Sequence, residues 1–194
     1  MALGLRSVTA FGITLLPEGA LWLPGESLLV VSDLHVGKSA HFRRHGVPVP
    51  WQTELKNFQK LEALLKRYEP KELLVLGDLF HSTSSYAVEA FGSWRSRQKG
   101  LKITLVKGNH DVLSESEYQA MDIYVTRWQH RKQLKFIHET TSIEGTEEAL
   151  FVSGHMHPGF KVGLKRYPCF WLKAHNLVMP AFGHFTGFAE VKPQ

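Results

Sequence analysis

Four short, mainly apolar runs set the frame of this chain: Leu28 to Val31, Leu73 to Leu76, Ile103 to Val106 (with Thr104 inside it) and Leu150 to Val152. A brief apolar run with polar flanks is the pattern of a strand buried on both faces, and such strands belong to sheets covered by other layers. Between the first two runs, Trp51, Leu55, Phe58, Leu61, Leu65 and Tyr68 recur at helical spacing, with Pro50 near the start and Pro70 just past the end. Between the second and third, Ala87, Ala90, Phe91 and Trp94 form another apolar stripe, followed by Arg95, Arg97, Lys99 and a stopping Gly100. The first half therefore reads β-α-β-α-β.

The second half reads differently. Asp122 to Thr126, Leu134 to His138, Leu150 to Ser153, Cys169 to Lys173 and Leu177 to Met179 suggest strands with short connections. The expected fold is α/β, a four-layer α-β-β-α sandwich of two facing mixed sheets flanked by helices. No repeat, low-complexity stretch or linker divides the 194 residues, so a single domain over 1–194 is expected.

Nothing approaches the roughly 20 consecutive apolar residues of a membrane-spanning helix, and the opening stretch is interrupted by Gly4, Arg6, Thr9 and Gly12. With Cys169 as the lone cysteine, no internal disulfide can form, which fits a reducing, cytoplasmic location. The formal charge of +5 favours polyanionic partners, although five surplus charges can equally be spread over a solvated surface. Eleven histidines are the sharper oddity, because many fall in a few short segments and neutral imidazole is a common metal ligand.

Each apolar run leads into a cluster of potential ligands: Asp33-Leu-His35, Gly77-Asp78, Gly108-Asn109-His110-Asp111, and Gly154-His155-Met-His157. His138 closes the shorter run Lys135-Phe136-Ile137 and is a fifth candidate. In open α/β sheets ligands bind at the carboxyl ends of strands, where these clusters stand. One such cluster means little, since a His or Asp after a strand is more often a capping residue. Five in order point to a metal site. Asp-x-His and His-x-His place two ligating groups on one side of an extended segment. Glycines before Asp78, Asn109 and His155 permit close backbone approach beside a crowded site.

This series resembles the calcineurin-like metallophosphoesterase superfamily along most of the chain. The stretch from Asp33 through Pro50, together with Gly77-Asp-Leu-Phe-His81-Ser, looks like its bacterial PdeM group of ligase-associated DNA damage response phosphoesterases. The resemblance implies one metal held by Asp33, His35, Asp78 and His157, and a second held by Asp78, Asn109, His138 and His155. Asp78 would bridge two divalent ions, with manganese first and iron or zinc as alternatives. The implied mechanism is in-line attack of a metal-bound hydroxide on phosphorus. His110 would contact the phosphate and protonate the leaving group, so His110, Asp78 and Asn109 are the expected catalytic residues. Asp111 either orients His110 or serves a turn. Where many relatives have His-Gly this chain has His138-Glu139, so His130 is the fallback ligand; His81 is left outside the metal set.

Basic residues flank the motifs: Lys38, Arg43, Arg44 and His45; Arg127, Arg131 and Lys132; Lys161, Lys165 and Arg166. These could hold a phosphate backbone, with Trp51, Trp128, Tyr167 and Trp171 nearby to stack on bases, although core packing is the simpler reading of Trp51. The expected activity is a phosphodiesterase or nuclease acting on DNA in repair. The alternatives are a phosphatase or phosphodiesterase for a small nucleotide-like substrate, and a non-catalytic scaffold. A DNA ligase or helicase partner is implied by the resemblance alone.

Overall fold

The computed structural model describes residues 7–10, 12–50, 52–140 and 149–192; Trp51 lies outside them. A seven-stranded sheet carries the chain's first half: β1 (Val8–Ala10), β2 (Ile13–Leu16), β3 (Ala20–Leu23), β4 (Leu28–Val31), β5 (Glu72–Leu76), β6 (Lys102–Val106) and β7 (Ile123–Thr126), in that spatial order. β1 to β4 are antiparallel and β4 to β7 parallel. Four helices connect it: α1 (Lys38–Arg44), α2 (Gln52–Tyr68), α3 (Ser85–Arg95) and α4 (Glu115–Ala120).

A five-stranded sheet is built from β8 (Gln129–Arg131), β9 (Leu134–Phe136) and β10 (Leu150–Ser153), together with two later strands. β11 (Pro158–Val162) and β12 (Lys165–Pro168) intervene as a hairpin, and the two later strands are β13 (Trp171–Lys173) and β14 (Asn176–Val178). The order in the sheet is β13-β14-β10-β9-β8, parallel across β14-β10-β9 and antiparallel at both edges. β15 (Ala189–Glu190) pairs with β11 to complete a third, three-stranded sheet that the sequence did not suggest.

The two large sheets face each other. Alternation in β4 and β5 sends Val30, Leu74 and Leu76 into one core with Leu134, Phe136, Val152, Leu177 and Met179 of the second sheet. Leu29, Val31, Leu73 and Val75 point the other way, against Leu61 and Leu64 of α2 and Phe91 and Trp94 of α3. One face against the second sheet and the other against helices explain why these runs are apolar along their length. The sandwich of mixed sheets stands as expected. Among the described residues its buried helix side chains belong to the seven-stranded sheet's outer face, and no helix follows β7.

Several local readings change. β7 joins the first sheet beside β6. Leu55 is 54% exposed, whereas Thr53, Glu54 and Asn57 are buried. The first turns of α2 face loops, whose N–H groups need acceptors: Gly37 N–H donates to Glu54 Oε1, and His184 N–H to Asn57 Oδ1 at 3.0 Å. No helix among the described residues is long and apolar enough to cross a membrane.

Candidate metal centre

All five ligand clusters converge at the carboxyl ends of the strands. β4 and β5 continue past their last pleated residues as a paired loop, with Asp33 N–H donating to Gly77 O (3.1 Å) and His35 N–H to Asp78 O (2.9 Å). β10 delivers Gly154, whose N–H donates to His138 O at 3.0 Å. That locks the end of β9 to the end of β10.

The backbone there is unusual. Asp33, His35, Asp78, His155 and His157 all adopt left-handed φ between 48° and 65°. For residues with a Cβ each such conformation costs on the order of 1–3 kcal/mol, held in place by the surrounding packing. The left-handed turn breaks the strand alternation and folds successive side chains inward. The glycines act as anticipated. An added Cβ would stand 1.9 Å from His138 Nδ1 at Gly77, 2.3 Å from Asp78 Oδ1 at Gly108, and 1.9 Å from Ser32 Oγ at Gly154.

Two groups result, Asp33 with His35 and His157, and Asp78 with His138 and His155; in each, one ligand atom per residue lies within 4.8 Å of the others. Asp78 stands between them: its Oδ2 is 3.7 Å from His35 Nε2, and its Oδ1 is 3.5 Å from His138 Nε2. Asn109 Oδ1 completes the second group, 3.2 Å from His138 Nε2 and 3.1 Å from His155 Nδ1.

This donor set fits divalent cations. His138 Nδ1 donates to Leu76 O at 3.0 Å, which leaves Nε2 as a bare lone pair facing the Asp78 and Asn109 oxygens. Asp33 Oδ1, His35 Nε2 and His157 Nε2 are buried without a hydrogen-bond partner, and Asp33 Oδ1 is only 3.0 Å from His157 Nε2. Lone pairs crowded in this way are costly unless a cation occupies the space between them. Burial, with Lys38 nearby, pushes the His35 imidazole down to about 2, so it is neutral and able to ligate at ordinary pH. Burial alone would raise the Asp33 carboxyl, but contacts from His157 and Ser32 hold it below its usual value.

Surrounding groups fix the ligands. Ser32 Oγ, with one proton to give, lies 2.5 Å from Asp33 Oδ2 and 2.9 Å from Leu76 O, and His155 N–H donates to Asp33 Oδ2 at 3.1 Å. The serine immediately preceding Asp33 was the only sequence sign of that role. Glu139 Oε1 lies 3.5 Å from the outer nitrogen of His155, which gives the His138-Glu139 departure a use.

His110 N–H donates to Asp78 Oδ1 at 3.0 Å, and its Nδ1 lies 3.3 Å from His81 O, leaving Nε2 as the free nitrogen. Asp111 does not orient that ring. Its carboxylate accepts the N–H groups of Asp78, Gly108, Leu79 and Phe80 at 2.8 to 3.3 Å, so the turn role is the one it fills. Burial pushes Asp111 up to about 6, against the N–H groups of Gly108, Phe80 and Asp78.

Some sequence neighbours of the motifs lie elsewhere. His130 is on β8, its ring against Trp128, while His138 is the histidine beside Asp78. Arg131 bonds Glu72 at 2.9 Å and Lys132 approaches Glu26 at 3.6 Å. Glu72 opens β5, so Arg131 belongs to the end of the sheet opposite Asp78.

The fold and the paired ligand groups define a class, and the family comparison agrees: a model of calcineurin-like phosphoesterases matches residues 27–179. The chain belongs to that family and is a metal-dependent phosphoesterase. Among solved structures it is similar to the Pseudomonas putida nuclease MPE, with a TM-score of 0.80 and 29% identity over 97% of this chain and 92% of that one. The E. coli phosphoesterase Yfce aligns with a TM-score of 0.48 and 16% identity, over 80% of this chain and 79% of the other. No curated protein sequence matches significantly.

Proposed function

We propose that this protein is a two-metal phosphodiesterase acting on DNA, a nuclease of cytoplasmic DNA repair that uses manganese. The observation that carries the reading is the pair of ligand groups joined by Asp78, whose two oxygens are divided between them. One ion would be held by Asp33, His35, Asp78 and His157, the other by Asp78, Asn109, His138 and His155. Bound there, two divalent ions supply an ionised water near neutral pH and positive charge for the phosphoryl oxygens.

The chain's own residues do the rest. Ser32, the Leu76 carbonyl and Glu139 hold ligands in their orientations, which preorganises the site before substrate arrives. The carbonyl of His81 fixes the His110 ring, whose free Nε2 protonates the departing oxygen. DNA as substrate is supported by the net positive charge and by the nuclease named above.

The test is manganese-dependent cleavage of single-stranded and supercoiled DNA, with Asp78→Asn protein prepared in parallel. Cleavage by the wild type alone is expected, and product lengths distinguish internal from terminal cuts. Intact DNA alongside hydrolysis of a small phosphodiester would replace this reading with a nucleotide-sized substrate.

A further inference from the structure

α1 has no part in the mechanism above, yet it lies directly behind the Asp33–His35 turn. Lys38, His41 and His45 follow one another at spacings of three and four and so share one face of it. Lys38 and His41 are half-buried. Among the described residues, no carboxylate lies within 4.0 Å of the Lys38 ammonium.

A second segment is brought against this face. The isolated pairing of Val36 with Phe80, and the bond from His81 N–H to Val36 O at 3.0 Å, set His81 beside α1. Its ring is 4.9 Å from that of His41 and is stacked on His110 at 5.3 Å, with 22° between the planes. His81 Nδ1 is buried and has no hydrogen-bond partner. The ring of His45 lies 4.3 Å beyond that of His41. A row of imidazoles thus leads from the metal centre outward, with Lys38 beside it; the carboxylates that act on that ammonium are Asp33 and Asp78 of the ligand groups, at more than ion-pair distance. Such a set of donors calls for an anion.

We propose that Lys38, His41 and His81 form a second phosphate subsite, which takes the phosphate one nucleotide away from the scissile one on the leaving-group side. The side follows from His110: the group that protonates the departing oxygen is stacked on His81, so the leaving nucleotide departs across His81 toward α1. The proposal rests on the reading of the metal centre as a phosphodiesterase site. It makes the preferred substrate one with at least two phosphates, and an isolated phosphodiester a poorer one.

The manganese-loaded protein should be titrated calorimetrically with thymidine 3′,5′-bisphosphate and with each thymidine monophosphate. The wild type should bind the bisphosphate about tenfold more tightly, the worth of one good charge-assisted contact. Lys38→Met, and separately His41→Ala, should reduce that advantage to roughly threefold or less, with monophosphate affinity and hydrolysis of bis(p-nitrophenyl) phosphate within about twofold. Lys165→Met on β12 controls for overall charge and should change nothing. Equal affinity of the wild type for mono- and bisphosphate would overturn the proposal. So would an equal effect of Lys165→Met, or a Lys38→Met variant that loses monophosphate and bisphosphate binding alike. The readout does not depend on DNA cleavage: a bisphosphate preference in a protein that leaves DNA intact upholds the subsite and removes the nuclease reading.

Discussion

Two glycines with nearly the same φ separate the cost of a left-handed residue from the cost of crowding the metal centre. Gly77 has φ +79° and Gly100 has φ +77°. At Gly100 an added Cβ meets nothing within 4 Å, whereas at Gly77 it would stand 1.9 Å from His138 Nδ1 and 2.4 Å from Cγ. Gly→Ala at either site pays roughly 1–2 kcal/mol for the left-handed conformation, partly offset by a less flexible unfolded chain. At Gly77 the His138 ring, only 5% exposed, must also move. That breaks its bond to Leu76 O, worth about 0.5–1.5 kcal/mol, and strains a packed core by about 1–3 kcal/mol. The Leu76 carbonyl still has the Ser32 hydroxyl 2.9 Å away, which limits any further penalty there. Gly100→Ala should therefore cost about 1 kcal/mol, and Gly77→Ala about 3–5 kcal/mol. Urea denaturation of metal-stripped protein measures both. Elemental analysis of the reloaded variants should show Gly77→Ala short of one metal and Gly100→Ala with its full complement. Equal destabilisation and equal metal content would refute the placement of His138 against Gly77.

Two further expectations concern stability. Lys60 donates to Phe182 O at 2.7 Å and Glu18 O at 3.1 Å, and burial pulls its pKa from 10.5 down to about 8. Between those values the unfolded chain holds a proton that the folded chain has released, so raising the pH stabilises the fold by up to about 1.4 kcal/mol per pH unit. Urea midpoints from pH 7 to 10 should show this rise in wild type and not in Lys60→Met; parallel curves would exclude it. Manganese should raise the unfolding free energy measured in urea, because the unpaired ligand atoms of the folded protein bind it, by about 2.7 kcal/mol per site at a hundred times Kd. In Asp78→Asn, which weakens both sites, the gain should be much smaller, and an undiminished gain would place the metal elsewhere.

The sequence by itself determined the β-α-β-α-β half and which segments meet at the centre. Those signals are local: an apolar run, a helical period, a glycine next to a ligand. Asp33, His35, Asp78, Asn109, His138, His155 and His157 were legible because each closes a strand or the turn after it, and strands side by side bring their ends together. Only the tertiary structure decided what depends on long-range pairing. β7 joins the first sheet, β1 to β3 extend its edge, and β11, β12 and β15 form a third sheet, because strand partners are not written in local pattern. It also set His138 rather than His130 beside Asp78, since the parallel register of β9 with β10 carries one end of β9 to Asp78 and the other toward Glu72. The two roles open for Asp111 could not be separated, and the polar first turns of α2 were misread, for a related reason. Their partners are backbone N–H groups of loops, and which N–H groups lack an acceptor becomes apparent only once the chain has folded.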